Sequence, residues 1–123
     1  MSQRRKQEYF VANEEELPDG ARRILTVRGV EIGVFNVRGS YFALPNLCIH
    51  QWGPLCNGKI AGTLVAREEN DWKLEWVKDG QILICPWHAM EYDITTGQNL
   101  ARPKVKLRHY PIKVEDGEVR VIV

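Results

Sequence analysis

Two short segments carry the residues most able to do chemistry. The first is Cys48-Ile49-His50, followed by Gln51-Trp52-Gly53-Pro54-Leu55. The second is Cys85-Pro86-Trp87-His88. Each offers one thiolate and one imidazole at close spacing, so each can place two ligands on one metal centre. A mixed Cys/His donor set suits zinc, copper or an iron–sulfur cluster, because soft thiolate and borderline imidazole favour those metals. The two pairs lie 34 residues apart and use two of the three cysteines and two of the three histidines in the chain.

Any one of these four residues alone reads as an ordinary buried cysteine or a hydrogen-bonded histidine. The doubled pair is what points to a metal. Gly53, Pro54 and Pro86 place both pairs in loops, whose backbone N–H groups are free of ladder partners and suited to an anionic centre. Cys56 stands six residues after His50 with no second free cysteine to pair with, and it reads as a small buried thiol. His109 follows Arg108 far from both loops and reads as a surface or packing residue.

The two segments resemble the cluster-binding loops of Rieske-type [2Fe–2S] proteins, in the form of a small soluble Rieske ferredoxin such as serves ring-hydroxylating oxygenases. In that family two cysteines hold one iron and two histidines the other. By position, the resemblance makes Cys48 and Cys85 the thiolate ligands and His50 and His88 the imidazole ligands of one [2Fe–2S] cluster per chain. Pro54-Leu55 with Gly58 resembles the tail of the first loop. Glu91-Tyr92-Asp93 and Thr96-Gly97 resemble the strand after the second. The run from Tyr110 to Val119 resembles the closing hairpin, so the likeness extends from about Tyr9 to Val121.

The elements that must position these loops are short. Residues 8–12, 22–27, 30–37 and 41–44 read as strands, separated by turn chemistry at Pro18-Asp19-Gly20, Arg28-Gly29 and Arg38-Gly39-Ser40. Asn13 with Glu16 resembles a helix cap, so one helical turn is expected there. In 30–37, Val30, Ile32 and Val34 fall on one face, with Glu31 and Gly33 on the other. Residues 59–66 are extended and 67–71 form a charged loop. The stretch 72–77 alternates apolar and charged, as a half-buried strand does. Lys78-Asp79-Gly80 then turns into the apolar run 81–84 that delivers Cys85. Residues 91–94, 105–109 and 111–114 are extended, and Glu115-Asp116-Gly117 closes a hairpin with 118–123. Short strands at this spacing predict an all-β sandwich or partly open barrel. The resemblance implies stacked antiparallel sheets with the two cluster-binding loops at one end. It also implies a single domain over 1–123, with the cluster-binding part at about 45–95 and the basal β part at 8–44 and 96–123.

Composition bounds the function. At 123 residues with 44% hydrophobic content the chain forms one domain with a real core. A net charge of +1 excludes nucleic-acid binding by bulk electrostatics. No apolar run approaches the ~18–20 residues of a membrane span. The basic start, Met1 to Gln7, leads into no apolar region and is not a secretory signal. Cysteine usage with no disulfide framework fits the cytoplasm. The resemblance implies a one-electron carrier, not itself an enzyme, taking electrons from a flavin-dependent reductase and passing them to a terminal oxygenase or other redox enzyme. With only His109 left after the ligands and the chain ending at Val123, no mononuclear iron site of two histidines and a carboxylate is expected. Two other readings stand beside it: the small subunit of a nitrite-reductase-like assembly, and a Cys₂His₂ structural zinc domain acting as an interaction module. The β-rich chain does not resemble the usual ββα finger. The acidic runs 14–16 and 68–71 read as solvated loops.

The resemblance also sets an expected potential. High-potential relatives carry an additional disulfide whose positions here are Gly53 and Trp87, and a serine hydroxyl whose position here is Met90. Tyr92 stands where an assisting tyrosine is common. Trp52 and Ala89 replace residues that are often glycine. Trp52 and Trp87 would form an apolar collar around the histidine edge. Fewer donors to the cluster stabilise its reduced, more negative state less. Direct electrochemistry should give a potential of roughly −150 mV, the low end of the Rieske range. A value above zero would overturn this reading of the surroundings.

Overall fold

Three hairpins in this chain turn on a two-residue loop that ends in glycine. Arg28-Gly29, Arg38-Gly39 and Asp116-Gly117 all have positive φ at both residues (52° and 76°, 52° and 90°, 53° and 74°). That pair of left-handed residues is the type I′ turn, whose twist matches the strands it joins. The fold is seen in a computed structural model that describes residues 6–47, 54–86 and 89–123.

Nine strands are assigned among the described residues: β1 (Glu8–Asn13), β2 (Arg22–Val27), β3 (Val30–Val37), β4 (Ser40–Pro45), β5 (Lys59–Ala66), β6 (Leu74–Ile84), β7 (Glu91–Asp93), β8 (Ile112–Glu115) and β9 (Glu118–Ile122). They form three antiparallel sheets, ordered β1-β9-β8, β2-β3-β4 and β5-β6-β7. The all-β, stacked-sheet expectation is borne out. A single 3₁₀ turn at Glu14–Glu16 follows β1, where the Asn13 N–H donates to Glu16 Oε1 at 2.9 Å. Residues 105–109 form no strand; among them only Lys106 makes an isolated bridge, to Gln98.

The middle sheet is buried on both sides, and β3 shows why. Ile32 and Val34 enter one core with Val11, Leu17, Val119 and Val121. Phe35 and Val37 enter a second core with Leu44, Leu55, Leu83 and Tyr92. The sequence pattern suggested an apolar face and an open face. From Ile32 onward, however, β3 is buried at every position. The face bearing Gly33 is closed by Cys56, which packs against it.

Two expectations around β6 need correction. Lys78-Asp79-Gly80 does not separate two strands. Ala61 pairs with Ile82 and Thr63 with Val77, so the intervening residues 78–81 bulge within one long strand opposite Gly62. The turn chemistry is present locally, since Lys78 and Gly80 have φ of 55° and 77°. It bends the strand because the apolar residues on either side still find partners on β5. The alternating stretch 72–77 is not half-buried either: Trp72, Leu74 and Trp76 are exposed.

The bulge is held by a buried carboxylate. Asp93, at the end of β7, accepts from Lys78 Nζ (3.0 Å), Gln81 Nε2 (3.0 Å), the Thr95 hydroxyl (2.7 Å) and the Thr95 N–H (2.9 Å). Arg38, in the β3–β4 turn, donates to Gln81 Oε1 (3.0 Å) and to the Asp79 carbonyl (2.7 Å), tying the middle sheet to the bulge. Burial works against the Asp93 charge. The bonds from Thr95, Gln81 and Lys78 outweigh it and hold the carboxyl below its usual range.

A carboxylate with a depressed folded-state pKa stabilises the fold above its unfolded value of about 3.9, and that stability is lost as the pH falls through the folded value. Asp93→Asn should therefore lower the unfolding free energy at neutral pH by about 1.5–3 kcal/mol, the scale of a lost hydrogen-bonded charge. It should also flatten the fall in stability below about pH 4. Denaturant unfolding at a series of pH values measures both, and an unchanged acid limb would remove Asp93 from the account.

Candidate metal centre

Both candidate loops leave the same end of the β5-β6-β7 sheet. Lys59 opens β5 and pairs with Ile84, the last residue of β6. Ile84 also pairs with Glu91, which opens β7. Gly58 ends the first loop and Cys85 begins the second, so strand pairing places these two loop ends side by side. The approach is close: a Cβ on Gly58 would lie 1.8 Å from the Ile84 carbonyl oxygen. Only glycine fits at that point.

Of the predicted ligands, Cys85 is described and buried (1% exposed), within the core that holds Leu55, Leu83 and Tyr92. Its N–H donates to the Met90 carbonyl at 2.8 Å, which closes the loop 85–90 at its base. Ala89 has φ 53°. It is thus a non-glycine residue in the left-handed region, as its place after the second candidate histidine suggested, and this carries a strain cost of about 1–2 kcal/mol. Cys48, His50 and His88 lie outside the described residues, as do Trp52, Gly53 and Trp87. Among the described residues no group of three or more His, Cys, Asp or Glu side chains could hold a metal.

The first loop is closed by a side chain the sequence reading passed over. Asn46, buried at the end of β4, accepts from the Cys56 N–H with Oδ1 at 2.6 Å. Its Nδ2 donates to Asn57 Oδ1 at 3.0 Å and to Glu31 Oε1. The Asn46 N–H donates to the Glu31 carbonyl at 2.9 Å. One amide thus joins the start of the loop to its end and anchors both to β3. Arg22 on β2 adds a second brace, its guanidinium donating to the carbonyls of Cys56 (3.0 Å) and Gly58. The one available signal for Asn46 was a polar residue ending the run Tyr41–Pro45 just before a candidate ligand. Nothing in the sequence pointed to Arg22.

Cys56 is buried, with Sγ near the carbonyls of Leu44 (3.7 Å) and Pro45 (3.6 Å). Burial pushes its thiol up to about 12, against the smaller opposing pull of the Gly33 backbone and Arg22. It is the small packed thiol expected from the sequence. His109 packs against Phe42 with ring centroids 5.8 Å apart, and its Nε2 lies 2.8 Å from the Ile94 carbonyl. It is the packing residue expected. Tyr92 is fully buried beneath the second loop, and Met90 packs against the same core.

Comparison with known proteins places these features in a family context. The family model described as Rieske [2Fe-2S] domain matches residues 7–111. The ferredoxin component of a naphthalene 1,2-dioxygenase system from Pseudomonas aeruginosa is 27% identical over 107 residues, covering 86% of each chain. The 3-phenylpropionate/cinnamic acid dioxygenase ferredoxin subunit of Photorhabdus laumondii is 28% identical, covering 93% of this chain and 92% of its own. Among solved structures, the ferredoxin of carbazole 1,9a-dioxygenase from Nocardioides aromaticivorans superposes with a TM-score of 0.67 at 28% identity, over 94% of this chain and 96% of that one.

Removing the Asn46 clasp leaves the buried Cys56 N–H without its partner, at a cost of about 1–3 kcal/mol. Asn46→Ala should release iron to a chelator about tenfold faster or more, whereas Cys56→Ala should keep its full iron content. Equal release rates in Asn46→Ala and the parent protein would show that the clasp does not hold the loop.

Proposed function

The chain belongs to the Rieske [2Fe–2S] domain family, and on that premise we propose that Cys48, His50, Cys85 and His88 hold the cluster of a one-electron carrier. The observation that carries this is the side-by-side delivery of the two loop ends by the Lys59–Ile84–Glu91 pairing, with Cys85 buried at the end of β6. The residues present fit a cluster of this kind. Two thiolates and two imidazoles are its donor set, and the Cys85 loop is closed at its base.

When bound, the cluster supplies one reversible electron per encounter. The protein's part is to position and tune. Asn46 and Arg22 keep the first loop closed. Leu55, Leu83 and Tyr92 keep water from the Cys85 side. Met90 brings no hydroxyl where high-potential relatives carry one, which agrees with a low potential. Within this family the zinc-module reading gives way.

These two relatives are ferredoxin components of dioxygenase systems. By that likeness the chain takes electrons from a flavin-dependent reductase and delivers them to a terminal oxygenase or other redox enzyme. The small-subunit reading within a nitrite-reductase-like assembly would instead show as co-purification with a large flavin or haem subunit. No helix among the described residues is long and apolar enough to cross a membrane. A cytoplasmic setting is part of the proposal and rests on the cysteine usage.

Iron and acid-labile sulfide analysis should give two of each per chain, with a rhombic Rieske-type EPR signal after dithionite reduction. Replacing Cys85 by Ser should abolish the signal. One zinc, no sulfide and a colourless protein would sink both the ligand assignment and the carrier function.

A further inference from the structure

The amide of Asn46 closes the first loop in one orientation only. An amide side chain presents an acceptor oxygen and a donor nitrogen of almost the same shape, so its partners decide which way it points. Among the described residues this side chain meets Asn57, Cys56 and Glu31. Asn57 is exposed and carries an amide of its own, so it can offer Asn46 either end. The Cys56 N–H only donates, and it takes Oδ1 at 2.6 Å. The Glu31 carboxylate only accepts, and it takes Nδ2. The orientation is thus set by a backbone N–H that belongs to the loop and by one side chain that does not.

Glu31 is built into that position. Its backbone pairs with Thr26 on β2, and its carbonyl accepts from the Asn46 N–H at 2.9 Å. One exposed residue of β3 therefore grips Asn46 at both main chain and side chain.

The bonds also run in one sense. Arg22 donates to the Cys56 carbonyl, the Cys56 N–H donates to Asn46, and Asn46 donates to Glu31. Every donor points from the guanidinium toward the carboxylate, so a cation and an anion polarise the run from its two ends. Arg22 lies opposite Phe35 and Glu31 opposite Thr26, which puts the two about 13 Å apart along the β2–β3 ladder. Their link runs through the end of the loop, at Cys56.

We propose, on the basis of the cluster assignment above, that Glu31 is the positioning residue of the first loop. By fixing the Asn46 amide it fixes how the segment from Asn46 to Cys56 is closed, and that segment carries Cys48 and His50. Removing the carboxylate frees the amide to turn over. Putting a cation in its place does more. An ammonium draws the amide oxygen to itself and turns Nδ2 toward the Cys56 N–H, donor against donor.

Hydrogen exchange at the Cys56 amide, with iron release to a chelator as a second reading, tests the proposal on the protein as isolated and on three variants. Glu31→Gln keeps an acceptor oxygen and should match the parent in both. Glu31→Lys should raise both rates about tenfold or more, as the loss of a buried hydrogen bond does. Glu31→Ala should fall between them. In an Asn46→Ala background, Glu31→Lys should add nothing further, because its effect runs through the amide. Glu31 is exposed, so its variants keep the fold, which circular dichroism checks. Should the Asn46→Ala background be too unstable to measure, the contrast between Glu31→Gln and Glu31→Lys carries the test. Glu31→Lys at the parent's rates, Glu31→Gln as fast as Glu31→Lys, or a further acceleration in the Asn46→Ala background overturns the proposal. Exchange at Cys56 is read whatever metal the loops hold, so failure here is distinct from failure of the cluster assignment.

Discussion

Gly58 has room for a hydrogen and nothing larger, and the placement of everything at the chemical end of the molecule depends on that. The Ile84 carbonyl sits where a side chain would begin. The contact is what lets β5 enter its sheet immediately after the first loop, while β6 leaves the sheet into the second. Two segments remote in the chain thereby meet at their ends. A ligand set split over two loops needs such a constraint, because each loop alone supplies only half a coordination sphere. The rest of the architecture is then a matter of keeping the sheet edge from shifting by a residue, since a one-residue slip turns every side chain to the other face.

The two cores divide this labour. The one containing Val11, Ile32, Val34, Val119 and Val121 closes the sheet formed by the two ends of the chain onto the middle sheet. The other, containing Phe35, Leu44, Leu55, Leu83 and Tyr92, lies directly under the loops. β3 belongs to both, so the loop platform and the basal sheet share one strand. Polar groups are used at the seams instead of within the cores. Asn46 and Arg22 brace the first loop, and Asp93 with Gln81, Lys78 and Arg38 braces the bulge in β6. Asn46, Arg22 and Arg38 reach partners on a different sheet or loop, so those ties form only once the sheets have docked, whereas Asp93 binds Lys78 and Gln81 within its own sheet.

What could be read from the sequence was whatever is encoded locally. The Arg-Gly and Asp-Gly turns, the strand runs and the capped 3₁₀ turn all appear where short-range chemistry puts them. The doubled Cys/His spacing pointed to the right family because ligand spacing is itself a local property. The misreadings are cases where distant packing decided the outcome. Lys78-Asp79-Gly80 has the composition of a turn, yet β5 captures the residues on both sides and reduces it to a bulge. β3 shows one apolar stripe in the sequence, yet Cys56 arrives from the loop to close the other face at Gly33. Trp72, Leu74 and Trp76 alternate as if buried, but they are 67%, 71% and 53% exposed. Asn46 and Arg22 were invisible because their partners are carbonyls and amides, which every residue has and no sequence pattern marks.

The burial of Cys56 bears on how such a protein is assembled. A chain that must receive iron and sulfide displays its cysteines to the delivery chemistry before the centre is complete, and a spare thiol six residues from a proposed ligand is a standing invitation to build the centre in the wrong register. Packing that thiol against Gly33, with its proton held up to about 12, removes it from competition once the middle sheet has formed. The same concealment spares Cys56 from oxidants, which attack accessible thiolates. A protein with an odd cysteine can thus handle electrons without that cysteine becoming the site of damage.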